Sequence, residues 1–145
     1  MTESFLHNSA RNGTIESEVV EILLSGIEIP AGKDTRAVNQ GGKPVERIRI
    51  KWWMEPGKHR LGDIAMGEYD INPDRPVTKK EQHAFIPYHV NRRPLFIGHY
   101  CLREKPGMQS PNICCVDYCC YRKGNLVAYR FNGETSLSPA NMVVV

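Results

Sequence analysis

The sequence predicts an α+β fold, with a helical segment near the N-terminus followed by a β-rich, largely antiparallel C-terminal half. Apolar residues recur at helical spacing in residues 14–27, whereas residues 94–145 contain short β-branched and aromatic runs separated by turn residues. Helix first and strands later, without strict alternation, is typical of the α+β class. The 145 residues have the length of one domain.

Composition and charge exclude several functional classes. A chain that is 41% hydrophobic and 24% charged is neither fibrous nor wholly disordered. Its net charge of +3 is small for a protein that binds nucleic acid mainly through phosphates, so nucleic acid is not favoured as a partner. No run approaches the ~20 apolar residues of a membrane span, and no secretion signal opens the chain. We therefore expect a cytoplasmic location and no membrane partner.

The helical segment has recognisable boundaries. Residues 14–27 place apolar side chains on one face and glutamates elsewhere, with Thr14 as the expected N-cap and Gly26 as the expected stop. Residues 1–12 are expected to form a preceding helical turn, which Gly13 separates from the main helix.

The middle of the chain is expected to contain more loop than regular structure. Residues 30–44 are predicted to form an exposed connection or hairpin tip, and residues 55–82 a loop with one helical turn at 60–66. Between them, residues 45–53 alternate cationic and apolar side chains, which predicts a half-buried strand. Its adjacent tryptophans and cations permit a surface for single-stranded nucleic acid. The alternation favours instead one inward indole and a solvated cationic face.

Four candidate strands follow, at residues 94–100, 112–118, 125–131 and 142–145. Turn residues flank the third of these, with Lys123-Gly124-Asn125 before it and Asn132-Gly133 after it. This turn chemistry predicts at least one antiparallel hairpin.

Two side chains in this half are candidates for chemistry. His99 ends an apolar run that we expect to be buried on both faces, and it follows Gly98, whose missing side chain would leave room for an imidazole facing a metal or phosphate. The alternative is a histidine that only finishes a strand and bonds a carbonyl group. Asp117 lies within an apolar stretch, where an unpaired carboxylate is costly. It should therefore have a partner, in either a structural or a catalytic role.

The cysteines are an odd number crowded into one part of the chain: Cys101, Cys114, Cys115, Cys119 and Cys120. This spacing is unlike a disulfide framework and predicts free thiols in a reducing compartment. A zinc site is the alternative, but adjacent cysteines on a strand point to opposite faces and no C-x-x-C pair occurs. Small buried core residues fit this pattern better.

Several segments resemble a known family in the same order along the chain. Residues 94–102 (PLFIGHYCL) and 110–134 (SPNICCVDYCCYRKGNLVAYRFNGE) resemble the C-terminal part of bacterial calcineurin-like metallophosphoesterases. The most similar group is the serine/threonine-phosphatase-like and diadenosine-tetraphosphatase-like branch. Residues 18–32 and 47–53 are similar to that family's helix and Arg-Ile-Arg-Trp-Trp strand.

The resemblance implies a two-sheet α/β sandwich with a binuclear centre of manganese, iron or zinc at the strand ends. In such sites the metals activate water for attack on phosphorus. Gly98-His99 matches the family's last Gly-His motif, which implies that His99 is a metal ligand and that Gly98 supports the site. Asp117 matches an aspartate in the following strand and is expected to give structural support.

The family's Gly-Asp-x-His-Gly, Gly-Asp-x-x-Asp-Arg and Gly-Asn-His motifs do not occur in the sequence and would precede Met1. The expected fold is thus an α+β fragment of the sandwich, with residues 1–145 forming one partial domain. We expect the chain alone to be inactive, because it has only one of the family's metal ligands. We also expect it to associate with an N-terminal half-domain or with itself. Divalent metals are expected only in the complete domain. The alternatives are a non-catalytic binding or regulatory module of the same origin, and an independent metal or nucleic-acid binder.

Overall fold

The computed structural model describes residues 2–32, 37–39, 41–55, 57 and 59–145. In these ranges the helices are α1 (Glu3–Ser9), α2 (Ile15–Ser25), α3 (Leu61–Ile64) and α4 (Lys79–Gln82). The strands are β1 (Glu28–Pro30), β2 (Arg47–Arg49), β3 (Leu95–Ile97), β4 (Met108–Ser110), β5 (Ile113–Cys115), β6 (Asp117–Tyr118), β7 (Asn125–Tyr129) and β8 (Met142–Val144). Short 3₁₀ turns span Cys120–Arg122 and Pro139–Asn141.

The strands form three small sheets. Strand β1 pairs with β2, β5 lies between β3 and β4, and β7 lies between β6 and β8. Of the strand pairs in the described ranges, β3 with β5 is parallel and the others are antiparallel. The α+β class and the antiparallel hairpins of the second half are confirmed. That these sheets belong to a larger α/β sandwich stays a prediction.

The N-terminal helices begin and end where the sequence predicts. Thr14 Oγ1 accepts a hydrogen bond of 3.1 Å from the Ser17 amide, and Gly26 ends α2 at φ 86°. Gly13, at φ 84°, separates α1 from α2. With 11 residues, α2 is the longest helix in the described part of the chain, and none there is long and apolar enough to cross a bilayer.

The main core lies beneath the β1–β2 hairpin. Ile29 pairs with Ile48, and both are almost fully buried together with Ile50, Leu61 and Ile64. The predicted strand of residues 45–53 is shorter than expected, because Ile50 makes only an isolated bridge to Ala65 and the chain then turns at the tryptophans. The predicted connection 30–44 is closed by this hairpin, although its residues 33–36 and 40 lie outside the described ranges.

Within residues 55–82 the structure confirms the helical turn, which is α3, and adds one element that the pattern missed. Helix α4 is a single turn held by a reciprocal cap, in which Thr78 Oγ1 accepts from the Glu81 amide and the Glu81 carboxylate accepts from the Thr78 amide. Strand β4 was also missed, because its pairing with β5 shifts register after Met108 and leaves no alternating pattern.

The expectation that β3 is buried on both faces is wrong. The Phe96 side chain remains 38% exposed, although it packs against Tyr129 and Phe131. Strand β3 pairs with β5 along one edge, and no described strand pairs with its other edge. The aromatic contacts therefore cover the outer face of β3 only in part.

Helix α2 also leaves apolar surface uncovered. It has no buried residue, and Leu23 is 77% exposed. Between α2 and β3 lies an apolar groove of about 340 Å³. We call this surface the α2–β3 face, defined by Ile22, Leu23, Ile86, Leu95, Phe96 and Ile97.

The turn before β7 provides a test of the hairpin packing. An alanine Cβ at Gly124 would overlap the carbonyl oxygen of Tyr118, so Gly124→Ala should lower the free energy of unfolding by about 1–3 kcal/mol. At Gly107 the nearest atom to such a Cβ lies 3.9 Å away, so Gly107→Ala is the matched control. Urea unfolding followed by circular dichroism measures both. Equal stability of the two variants would contradict this packing.

Candidate functional site

His99 lies in a tight loop directly after the carboxyl end of β3. We call residues 98–102 the His99 loop. Both His99, at φ 67°, and Cys101, at φ 50°, adopt the left-handed backbone conformation that residues with side chains rarely take. The carbonyl oxygen of His99 accepts a hydrogen bond of 3.2 Å from Arg49 Nη1, which ties the loop to β2. The His99 side chain is exposed, so its imidazole is available to a ligand.

Asp117, the first residue of β6, anchors this loop. Its carboxylate accepts 3.0 Å from the Cys101 amide through one oxygen and 3.1 Å from the Cys119 amide through the other. Its carbonyl oxygen also accepts from the Leu102 amide at 3.0 Å. The predicted partner of Asp117 therefore exists, and it is the backbone of the His99 loop and of the turn after β6. This arrangement fits structural support.

The environment of Gly98 does not explain the predicted need for a glycine. An added Cβ there would meet no atom within 4 Å among the described residues, and Gly98 is exposed. The space beside it opens onto the α2–β3 face, which Gly98 also borders. The described residues therefore place no steric demand on position 98.

His99 and Asp117 line one open cleft of about 530 Å³. Three guanidinium groups also border this cleft, those of Arg49, Arg103 and Arg122. Arg103 forms an ion pair with Glu68, which is another lining residue, and the Arg122 guanidinium lies 5.2 Å from the ring centre of Tyr121. A cleft of this kind can hold an anion beside the imidazole.

The sequence did not predict that Arg49 lines this cleft. The alternation of residues 45–53 placed Arg49 on a solvated face, yet Arg49 is half-buried and donates to the His99 loop. The alternation does not signal this contact, because a residue between two buried isoleucines, Ile48 and Ile50, points to the opposite face of the strand, and its partner lies 50 residues away in sequence.

The tryptophans support the loop from inside. Trp52 is 8% exposed, and its Nε1 donates to the Tyr100 hydroxyl at 2.9 Å. Trp53 packs edge-on against the Tyr100 ring, with ring centres 5.5 Å apart. Burial raises the pKa of the Tyr100 hydroxyl above its ordinary value, and the hydrogen bond from Trp52 partly opposes this. The inward indole is confirmed, and the pair does not form an open stacking platform.

The prediction that all five cysteines are free thiols is wrong. Cys101 and Cys119 form a disulfide across 18 residues, with their Cα atoms 4.4 Å apart. Cys114 and Cys115 are buried free thiols, and Cys120 is an exposed free thiol. The sequence did not predict this pairing because it depends on a tertiary contact, in which the Asp117 carboxylate accepts hydrogen bonds from the Cys101 and Cys119 amides.

The donor set does not fit a binuclear metal centre held by this chain alone. Nowhere in the described ranges are three His, Cys, Asp or Glu side chains grouped to hold a metal ion. In the cleft, both carboxylate oxygens of Asp117 bind backbone amides, and Glu68 is paired with Arg103. A metal ion bound by His99 would therefore need further ligands from outside the described residues.

Comparison with known proteins adds no relative: no family model, curated protein or solved structure matches the chain.

The three free thiols should differ sharply in reactivity. Burial raises the pKa of Cys114 to about 11 and that of Cys115 to about 12, so both remain protonated and unreactive near neutral pH. Iodoacetamide at pH 8 should modify Cys120 in the folded chain, and all three after denaturation in urea. Peptide mass spectrometry distinguishes the sites. Rapid labelling of Cys114 or Cys115 in the folded protein would show that β5 is not buried.

Proposed function

We propose that this chain is the C-terminal portion of a metal-dependent phosphoesterase domain and that it has no activity alone. The placement of His99 carries the proposal: an exposed imidazole at the carboxyl end of a parallel strand, beside an open cleft with guanidinium groups. Ligands of open α/β sheets typically bind at these strand ends. The resemblance of residues 94–102 and 110–134 to calcineurin-like metallophosphoesterases supplies the reaction class.

The proposal gives each candidate residue a distinct role. His99 contributes one imidazole ligand, and manganese, iron or zinc is held only when other donors join it. Asp117 is a positioning residue, since its carboxylate fixes the Cys101 and Cys119 amides and so the path of the loop. Gly98 leaves room for the partner that approaches this edge. The cleft arginines can hold the anionic ester.

The α2–β3 face supports the partial-domain assignment. Leu23 and Phe96 lie on it with 77% and 38% of their surface exposed, and one edge of β3 has no described partner. Each fully buried aliphatic or aromatic side chain gains about 1.5–3 kcal/mol, so a covering partner would be strongly favoured. We assign this partner as an N-terminal half-domain that carries the three missing motifs.

A non-catalytic binding or regulatory module is the second candidate. It is favoured by the donor set, which leaves His99 without grouped metal-binding side chains in the described residues. Such a module would fold as a stable monomer and would gain no hydrolytic activity from a complementary half.

Complementation tests the proposed function directly. The chain is mixed with the N-terminal half of a calcineurin-like metallophosphoesterase, and p-nitrophenyl phosphate hydrolysis is followed with manganese present. We expect neither half to be active alone and the mixture to be active. His99→Ala should lower that activity roughly hundredfold, because one metal ligand is lost.

His83→Ala is the matched control, since His83 is an exposed histidine at the end of α4 and lies outside the cleft. It should leave the complemented activity unchanged. Absence of activity at every ratio of the two halves, with binding of the halves shown by sedimentation, would favour the non-catalytic module.

The uncovered face should also make the isolated chain self-associate. Leu23→Lys places a charge at an exposed position on the α2–β3 face and should weaken self-association roughly tenfold, because a charge resists transfer from water. Asn12→Lys adds the same charge at an exposed position between α1 and α2 and serves as the control. Sedimentation velocity over a concentration series measures the effect. A wild-type chain that stays monomeric at all concentrations would argue against a missing partner.

A further inference from the structure

The disulfide between Cys101 and Cys119 joins the His99 loop to the turn after β6. Cys101 is half-buried and borders the open cleft, whereas Cys119 is 2% exposed. The next residue, Cys120, is an exposed free thiol. The bond thus lies at the boundary between solvent and core, two residues from the candidate metal ligand.

Asp117 binds both of the cysteines that form this bond. Its carboxylate holds the Cys101 and Cys119 amides at 3.0 and 3.1 Å, and these contacts do not involve the sulfur atoms. These hydrogen bonds can therefore keep the two cysteines within reach of each other when the bond is reduced, although the loop becomes more mobile. A disulfide whose thiols remain in place can re-form without refolding of the chain.

The disulfide also constrains backbone that is in an unfavourable, left-handed conformation. His99, Cys101 and Cys119 have φ angles of 67°, 50° and 58°, which side-chain-bearing residues adopt only when the surroundings impose them. All three lie in the two segments that the disulfide joins. Reduction removes the covalent constraint on these segments and leaves hydrogen bonds, among them those to the Asp117 carboxylate and that from Arg49 to the His99 carbonyl oxygen.

We propose that Cys101 and Cys119 form a thiol–disulfide exchange site for low-molecular-weight disulfides, which fixes the His99 loop when oxidised and loosens it when reduced. One protein thiol attacks a small disulfide such as oxidised glutathione and forms a mixed disulfide, which releases one small thiol. The second protein thiol then displaces the other. The two protein sulfurs are oxidised, the small disulfide is reduced, and its two thiols take both protons. The inference goes beyond phosphoester chemistry and requires no metal.

The test compares the full chain after treatment with oxidised glutathione and after treatment with dithiothreitol. Peptide mass spectrometry establishes the Cys101–Cys119 linkage, and amide hydrogen exchange reports the order of residues 98–102. We expect the exchange of the Cys101 and Leu102 amides to rise roughly tenfold on reduction, and to return on reoxidation. Exchange within the buried hairpin of Ile29 and Ile48 should not change.

Two variants distinguish the effect of losing the disulfide from general effects of glutathione and dithiothreitol on the protein. Cys101→Ser should exchange rapidly in both conditions, whereas Cys114→Ser, which removes a free thiol on β5, should respond as the wild type does. The wild-type comparison alone decides the outcome if Cys101→Ser does not fold. Failure of oxidised glutathione to link the two cysteines, or exchange rates equal within twofold across the linked and reduced forms, would overturn the proposal. Neither outcome depends on whether the chain belongs to a phosphoesterase.

Discussion

The carboxylate of Asp117 is the contact on which the candidate site depends. It brings together two segments that lie far apart in the sequence, by accepting hydrogen bonds from the Cys101 and Cys119 amides. Hydrogen bonds to a charged group each contribute about 1.5–3 kcal/mol, and removing one partner leaves a half-buried group unsatisfied. These bonds act together with the Arg49 contact and the disulfide to fix the loop that carries His99.

The sequence predicted those elements whose boundaries depend only on residues that are neighbours along the chain. Thr14 and Gly26 mark the ends of α2 because capping involves only neighbouring backbone groups. The glycine turn before β7 and the resulting hairpin follow for the same reason. Strand β4 was missed because its pairing with β5 depends on partners distant in sequence and on a register shift that breaks alternation.

The site was predicted only in part, for a related reason. The sequence pointed to His99 and required a partner for Asp117, because each residue type has a definite need for ligands or hydrogen bonds. Which groups meet that need depends on tertiary contacts such as that between Arg49 and the His99 carbonyl oxygen. The disulfide is the clearest example, since an odd and crowded set of cysteines does not specify a pairing.

The α2–β3 face and the incomplete donor set have one common explanation under the proposed function. A strand that pairs in parallel with the edge of β3 to which no described strand is bonded would extend the sheet beside Leu95 and Phe96. Since carboxyl ends of parallel strands meet at the same edge of a sheet, the residues after that strand would arrive beside His99. A single docking event would then bury the apolar surface and supply the missing ligands together. Activity and stability should therefore appear jointly when the partner binds.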